Sequence, residues 1–230
     1  MSHYSLSQFV QANSEQQLNQ GLFELESDRV LEVNLSGMVW MKVGAMIAYV
    51  GNIKFTREGM LDQGLGNLLK KAVSGEGASL SKAEGQGKLY LADGGKRVTV
   101  LKLANESVFI NGNDLLALES TLSKDITMMR KASAMVSGGL FNVKVSGSGV
   151  VAFCTHGKPL VLPVVPGRPV FTDPQATVAW SGNLTPEFKT DISFKTLLGR
   201  GSGESFQMMF QGQGFVVVQP YEELPMQHQG

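Results

Sequence analysis

Apolar and polar residues alternate with period two along Phe141-Asn142-Val143-Lys144-Val145-Ser146, and nearly so along Phe206-Gln207-Met208-Met209-Phe210-Gln211. That spacing predicts strands with one buried and one wet face. Two further runs, Val98-Thr99-Val100-Leu101-Lys102-Leu103 and Leu160-Val161-Leu162-Pro163-Val164-Val165, are rich in β-branched residues and bounded by Gly, Pro or Asn, again the mark of strands. Val108-Phe109-Ile110 and Leu115-Leu116-Ala117-Leu118 flank Asn111-Gly112-Asn113-Asp114, and Asp173-Pro174-Gln175 takes the place of that turn later on; turn chemistry between apolar runs predicts a hairpin at both places. One segment has helical spacing: Leu65, Leu68, Leu69, Ala72 and Val73 share one face at i, i+3, i+4, i+7 and i+8. Met128, Ala132, Met135 and Val136, then Phe194, Leu197 and Leu198, keep weaker forms of it.

The pattern recurs. Gly85-Gln86-Gly87, Gly147-Ser148-Gly149 and Gly212-Gln213-Gly214 each lead into a strand-like run. An offset of 62 carries Gly85, Gly95, Val108, Phe109 and Ala117 onto Gly147, Gly157, Val170, Phe171 and Ala179 without a gap, and the last glycine unit follows after 65. Val39-Trp40 and Ala48 lie 69 before Val108-Phe109 and Ala117. The chain therefore reads as three β-units, 21–91, 92–153 and 154–218, between polar tails at 1–20 and 219–230. Units of this size fall short of a self-sufficient core, so the three are expected to pack as one cooperative body. The predicted class is all-β: three pseudo-repeated units of β-sandwich or double-stranded β-helix type with short inserted helices.

The recurrence also decides against a phosphate loop. A nucleotide site needs one glycine loop followed by a helix N-terminus, whereas Gly147 and Gly149 are expected between two strands, where glycine marks a bend, a bulge or a close backbone approach.

Composition narrows the classes. Among 230 residues, Lys plus Arg and Asp plus Glu number 20 each, so no global field draws nucleic acid or an anionic membrane. The residues Arg57, Lys70, Lys71, Lys82, Lys88, Lys96, Arg97 and Lys102 give a modest local basic excess, with only Phe55 and Tyr90 nearby to stack on bases. The one cysteine, a start without a secretory layout, and apolar runs too short for a bilayer lead to the expectation of a cytoplasmic protein with no transmembrane segment.

Candidate chemistry is sparse. Cys154-Thr155-His156 brings a thiol near an imidazole, but the repeat sets Thr155-His156-Gly157 over Asp93-Gly94-Gly95, read as a hairpin turn, making His156 a solvated turn residue and Cys154 a strand-end residue. His3 and His228 lie in the tails, so no metal site is expected. Carboxylate pairs such as Glu24/Glu26 and Glu222/Glu223 read as exposed charge. Met128, Met129, Met135, Met208 and Met209, with Trp40 and Trp180, read as core or interface packing. No catalytic, cofactor-binding or metal residue is assigned, and no cofactor is expected.

The stretch Leu35-Ser36-Gly37-Met38-Val39-Trp40-Met41-Lys42 through Phe55, the three glycine-strand units and Val108 to Thr121 together resemble the altered-inheritance-of-mitochondria (mitochondrial biogenesis) family over about 20–218. The resemblance implies a fold similar to the tryptophan-RNA-binding attenuation protein, three such β-domains per chain, and assembly into rings; no tryptophan or RNA ligand motif matches onto this sequence. Ser79, Ser81 and Ala83 depart from the repeat, where the later units have Phe141, Val143 and Val145 or Phe206, Met208 and Phe210. The resulting expectation is a non-enzymatic, oligomeric scaffold or interaction module, with an unidentified protein partner and no nucleic acid. Uncovered sheet edges at the ends of such an array need closure, and the resemblance sets that closure at a homotrimeric ring of nine β-domains. A small-ligand binder with a pocket between repeats or subunits is the second reading, and an enzyme of unknown class the third.

Overall fold

The computed structural model describes residues 3–16, 21–57, 80–128, 141–190 and 206–221. The candidate helices at 65–73 and 194–198, and that at 128–136 apart from Met128 at the end of a strand, lie outside these residues. Among the described residues the protein is built of antiparallel β-sheet with one helix, α1 (Leu6–Ala12). The helix falls in the expected polar tail; Ser5 caps it by accepting the Gln8 N–H, and the Gln8 side chain accepts the Ser5 N–H in return.

Fourteen strands follow: β1 (Phe23–Ser27), β2 (Val30–Lys42), β3 (Met46–Arg57), β4 (Leu80–Leu91), β5 (Arg97–Asn111), β6 (Leu115–Glu119), β7 (Ser123–Met128), β8 (Phe141–Thr155), β9 (Leu160–Val164), β10 (Val170–Thr172), β11 (Thr177–Ser181), β12 (Glu187–Thr190), β13 (Phe206–Phe210) and β14 (Gly214–Val218). The larger sheet runs in the order β3, β4, β2, β6, β8, β5, β11, β14, β9, with β1 added on β2 and β7 on β8. The smaller sheet is β10, β13, β12.

The expected hairpins are not hairpins. Val98 to Leu103 and Val108 to Ile110 are one continuous strand, β5, and β6 pairs with β8 and β2 instead of β5. Across Asp173-Pro174-Gln175, likewise, β10 pairs with β13 while β11 pairs with β14 and β5. Nor does Asp93-Gly94-Gly95 close a hairpin, because β4 pairs with β2 and β3, and β5 with β8 and β11. Turn residues reverse the chain, but strand partners are chosen by which faces must be buried.

The glycine pairs are also placed differently from expectation: Gly147 and Gly149 lie inside the single strand β8, and Gly85 and Gly87 inside β4. A Cβ at Gly87 would stand 2.0 Å from the Val50 carbonyl oxygen, with φ at +149°, so the β3–β4 pair closes there only around glycine. At Gly149 the space is occupied by side chains, and the Glu119 carboxylate accepts the Val150 N–H at 2.9 Å. The close approach expected at a glycine pair is thus found at Gly87, within a strand pair of the protein's own sheet.

One irregularity recurs. Pairing shifts by a residue at Met46/Ala48 against β4, at Leu115/Ala117 against β8 and at Thr177/Ala179 against β14. In the last third, Pro166 and Gly167 (φ +78°) form a tight turn bridging Val165 and Arg168, so β9 and β10 are separate where β2 and β5 run unbroken.

Among the described residues three apolar clusters form the core, and two span the sequence divisions. The first joins Leu31, Val33, Leu89 and Leu91 to Val98, Leu116 and Cys154; the second joins Ile110, Leu118 and Val151 to Val178, Ala179 and Val217. The third gathers Trp180, Met208 and Phe210, with Phe109 stacked on Trp180 at 5.3 Å. A leucine side chain fully removed from water contributes roughly 1.5–3 kcal/mol, so the clusters tie neighbouring strand groups together.

Candidate functional site

The thiol and imidazole singled out in the sequence do not form a reactive pair. Cys154 is fully buried near the end of β8, and its backbone N–H donates to the Asp114 carbonyl at 2.8 Å. Burial, followed by the nearby Asp93 charge, pushes its thiol up to about 12, so it stays protonated and non-nucleophilic near neutral pH. His156 is half-buried rather than solvated, because its ring stacks on Tyr221 at 3.9 Å and its backbone N–H donates to Gln219 Oε1 at 2.9 Å.

Beside Cys154 lies a knot of charge. Lys42 Nζ donates to Asp93 Oδ2 at 2.9 Å and to the Asn113 carbonyl at 2.6 Å, and Lys96 Nζ pairs with Asp114 Oδ1 at 3.0 Å. Lys42 ends β2, Asp93 and Lys96 come from the β4–β5 connection, and Asp114 from the turn after β5. Each carboxylate has a cation at hand, which makes the knot a clasp between three connections; buried charges persist when paired in this way.

The carboxylates read as exposed are partly inside. Glu24 is buried and accepts the Gly21 N–H at 2.7 Å, while Glu26 accepts the Gln16 N–H at 3.0 Å. Glu222 and Glu223 lie outside the described residues. Glu32, also buried, pairs with Lys88 at 3.2 Å, and Lys88 reaches Glu15 at 3.4 Å. Hydrogen bonding to Glu32 raises the Lys88 ammonium, and Tyr90, then Lys88, hold the Glu15 carboxyl below its ordinary value. Burial, then the hydrogen bond to Glu15, raises the Tyr90 hydroxyl.

Lys82 of the basic set is also engaged, together with Lys124. Lys82 and Lys124 lie 5.1 and 4.0 Å from the Trp40 ring centroid, so half-buried Trp40 is roofed by cations where a core plug was expected. Trp180, Met208 and Met209 are core residues as expected, whereas Met129 and Met135 lie outside the described residues. Among the described residues no group of three His, Cys, Asp or Glu is placed to hold a metal ion, and no helix is long and apolar enough to cross a membrane.

What remains unused is the two ends of the sheet system. β3 ends the larger sheet on one side, β9 on the other, and β10 is an edge of the smaller sheet. Met46, Ile47, Tyr49 and Val50 are exposed on β3, and Leu160, Val161, Val165 and Phe171 are exposed on or beside β9 and β10. No charge interrupts Met46 to Val50, although natural edges are usually blunted by charge, proline or a bulge. Sequence reasoning anticipated open edges without locating them on these residues; the signal was the uncharged run Met46-Ile47-Ala48-Tyr49-Val50 beside a turn.

Interior edges show what fills such a place. β6 lies between β2 and β8, with Val39, Trp40 and Met41 opposite Glu119, Leu118 and Ala117. β11 lies between β5 and β14, with Val108, Phe109 and Ile110 opposite Ser181, Trp180 and Ala179.

None of the curated proteins compared matches the chain. Among solved structures, the X-ray crystal structure of a protein from Streptococcus pyogenes is similar, with a TM-score of 0.68 at 23% identity, covering 87% of this chain and 92% of that one. That likeness is one of fold. The family model described as mitochondrial biogenesis AIM24 matches residues 23–221, most of the sequence, and the chain belongs to that family.

Proposed function

We propose that the protein is a non-enzymatic scaffold or interaction module, built of three similar β-units (21–91, 92–153 and 154–218) with an attenuation-protein-like fold and assembled in the cytoplasm as a ring-like homotrimer. The observation that carries this reading is the pair of exposed, apolar sheet edges at β3 and at β9 and β10, each without a strand on its outer side among the described residues. The recurring shifts at Met46/Ala48, Leu115/Ala117 and Thr177/Ala179 support three equivalent units, since they fall at the sequence offsets of 69 and 62. Core clusters that span the unit divisions support a single cooperative body. The protonated, buried Cys154 and the paired carboxylates around it favour a structural role over catalysis. Equal numbers of basic and acidic residues favour a protein partner over nucleic acid. The family's name links its members to mitochondrial biogenesis, and gathering partner proteins is the contribution assigned to this chain.

Light scattering coupled to size-exclusion chromatography tests the assembly. A particle of about three times the 24.8 kDa chain mass is expected from cyclic closure; a stable monomer at micromolar concentration overturns it.

A further inference from the structure

We propose that Trp40, Lys82 and Lys124 form an anion site for the dianionic head of a phosphate monoester. The site is separate from the sheet edges and does not depend on the oligomeric reading.

Three equivalent positions differ in how many cations they hold. At each filled seam, β6 on β2 and β11 on β5, an aromatic ring of the receiving strand packs on an apolar cluster: Trp40 on the second and Phe109 on the third. By the offsets of 69 and 62, the open edge of β10 has Phe171 at the same position. A lysine roofs the ring in both filled seams, since Lys82 stands opposite Trp40 with Nζ 5.1 Å from the ring centroid, and Lys144 stands opposite Phe109 at 5.5 Å. Met209 takes that place opposite Phe171. One lysine therefore suffices to cover a ring at a filled seam. Trp40 has a second: Lys124 of β7 reaches it at 4.0 Å, and an offset of 62 from Lys124 falls on Pro186.

The second cation is costly. Both ammonium groups stand within 5.1 Å of one centroid, in a half-buried place where like charges repel more strongly than in bulk water. An anion between them relieves that repulsion and accepts charge-assisted hydrogen bonds from both. Glu119, next to Leu118 on β6, is turned instead to the Val150 N–H at 2.9 Å. The site requires only that both ammonium groups stand beside one ring, not that either lacks other contacts. Two positive charges match a phosphate monoester, which carries about two negative charges and three acceptor oxygens at neutral pH. A phosphodiester or a carboxylate is only a monoanion.

The test uses the full chain. Trp40 and Trp180 are its two tryptophans, and Trp180 is buried, so a change of tryptophan emission on titration reports the site. Glycerol 3-phosphate should give a saturable change, while dimethyl phosphate, or sodium chloride at equal ionic strength, should not. Lys82→Gln and Lys124→Gln should each weaken the apparent affinity by at least about tenfold with unchanged far-ultraviolet circular dichroism, and Lys144→Gln should leave it unchanged. Phosphatidylcholine vesicles with and without phosphatidic acid separate the two sources of the phosphate: a response to phosphatidic acid alone assigns it to a lipid headgroup, and a response to glycerol 3-phosphate to a soluble ester. No saturable response of the parent chain to either probe overturns the site, whatever the variants do. Unchanged affinity in both Lys82→Gln and Lys124→Gln, or an equal loss in Lys144→Gln, also overturns it.

Discussion

β3 and β6 occupy comparable positions, each following a short turn after a long strand and pairing through a one-residue shift with a later strand, but they have different neighbours. β6 has β2 on its second side and is buried along nearly its whole length; β3 has no second neighbour among the described residues and is exposed from Met46 to Asn52. The difference lies in the far side of the strand, so side chains of similar apolar character are core in one place and surface in the other. Being apolar does not decide burial; having a strand to pair with does.

The largest effect should come from disturbing how the open edge is held. Gly87→Val puts a Cβ against the Val50 backbone, and loss of more than about 4 kcal/mol, or failure to fold, is expected. Gly149→Val meets the Thr121, Glu119 and Leu122 side chains instead, which can shift, and should cost about 1–3 kcal/mol. Urea melts of the two variants rank them, and equal midpoints would remove the distinction between backbone and side-chain closure.

Truncation compares the filled and open seams directly. Trp180→Ala removes a buried ring stacked on Phe109 and tilted against Phe210 and should cost about 3–5 kcal/mol. Phe171→Ala should change the stability of a dissociated chain by less than about 1 kcal/mol while weakening assembly. Thermal melts at high dilution measure the first effect, and mass against concentration the second.

At neutral pH the smallest effect is at the seam beside β6, where a pH slope appears only in alkali. Cys154 keeps its proton in the folded chain to about 12, against an ordinary value of 9.0, so the folded state binds more protons than the unfolded one between these limits. Its contribution is present below pH 9.0 and is lost as pH rises toward 12, with a slope of at most about 1.4 kcal/mol per pH unit. Cys154→Ala should remove that slope and cost about 1 kcal/mol at neutral pH from lost packing, as read from urea midpoints at several pH values.

Much of the strand content was legible because period-two alternation and β-branched runs are local signals: Val98 to Leu103 and Phe141 to Ser146 lie in strands as expected. Pairing was not legible. Asn111 to Asp114 dictates a reversal, but nothing local says that β8 inserts between β5 and β6. The burial of Glu24 and Glu32 was hidden for the same reason, since Gly21 and Lys88 are brought to them only by the sheet. Helix α1 did leave a signal, Ser5-Gln8 at capping-box spacing, overlooked in a stretch that reads as polar. For the candidate site, reasoning from repeats identified the need for closure, whereas the exposed faces of Tyr49 and Phe171 required the strand order.

Helix α1 buries none of its residues, and the segment after it is fastened by Gln16 on Glu26 and by Glu15 on Lys88 and Tyr90. Among the described residues the segment is held by solvent-facing polar contacts, which open independently of the sheet core, so the amides of Leu6 to Ala12 should exchange with solvent long before those of β6 or β11. Acidification accelerates that opening: Glu15 is held below its ordinary value by Tyr90 and Lys88, so its hold on the sheet is present above that value and fades as pH falls through the lowered one. The protein thus carries a first turn of structure that can come and go while the fold behind it stays closed.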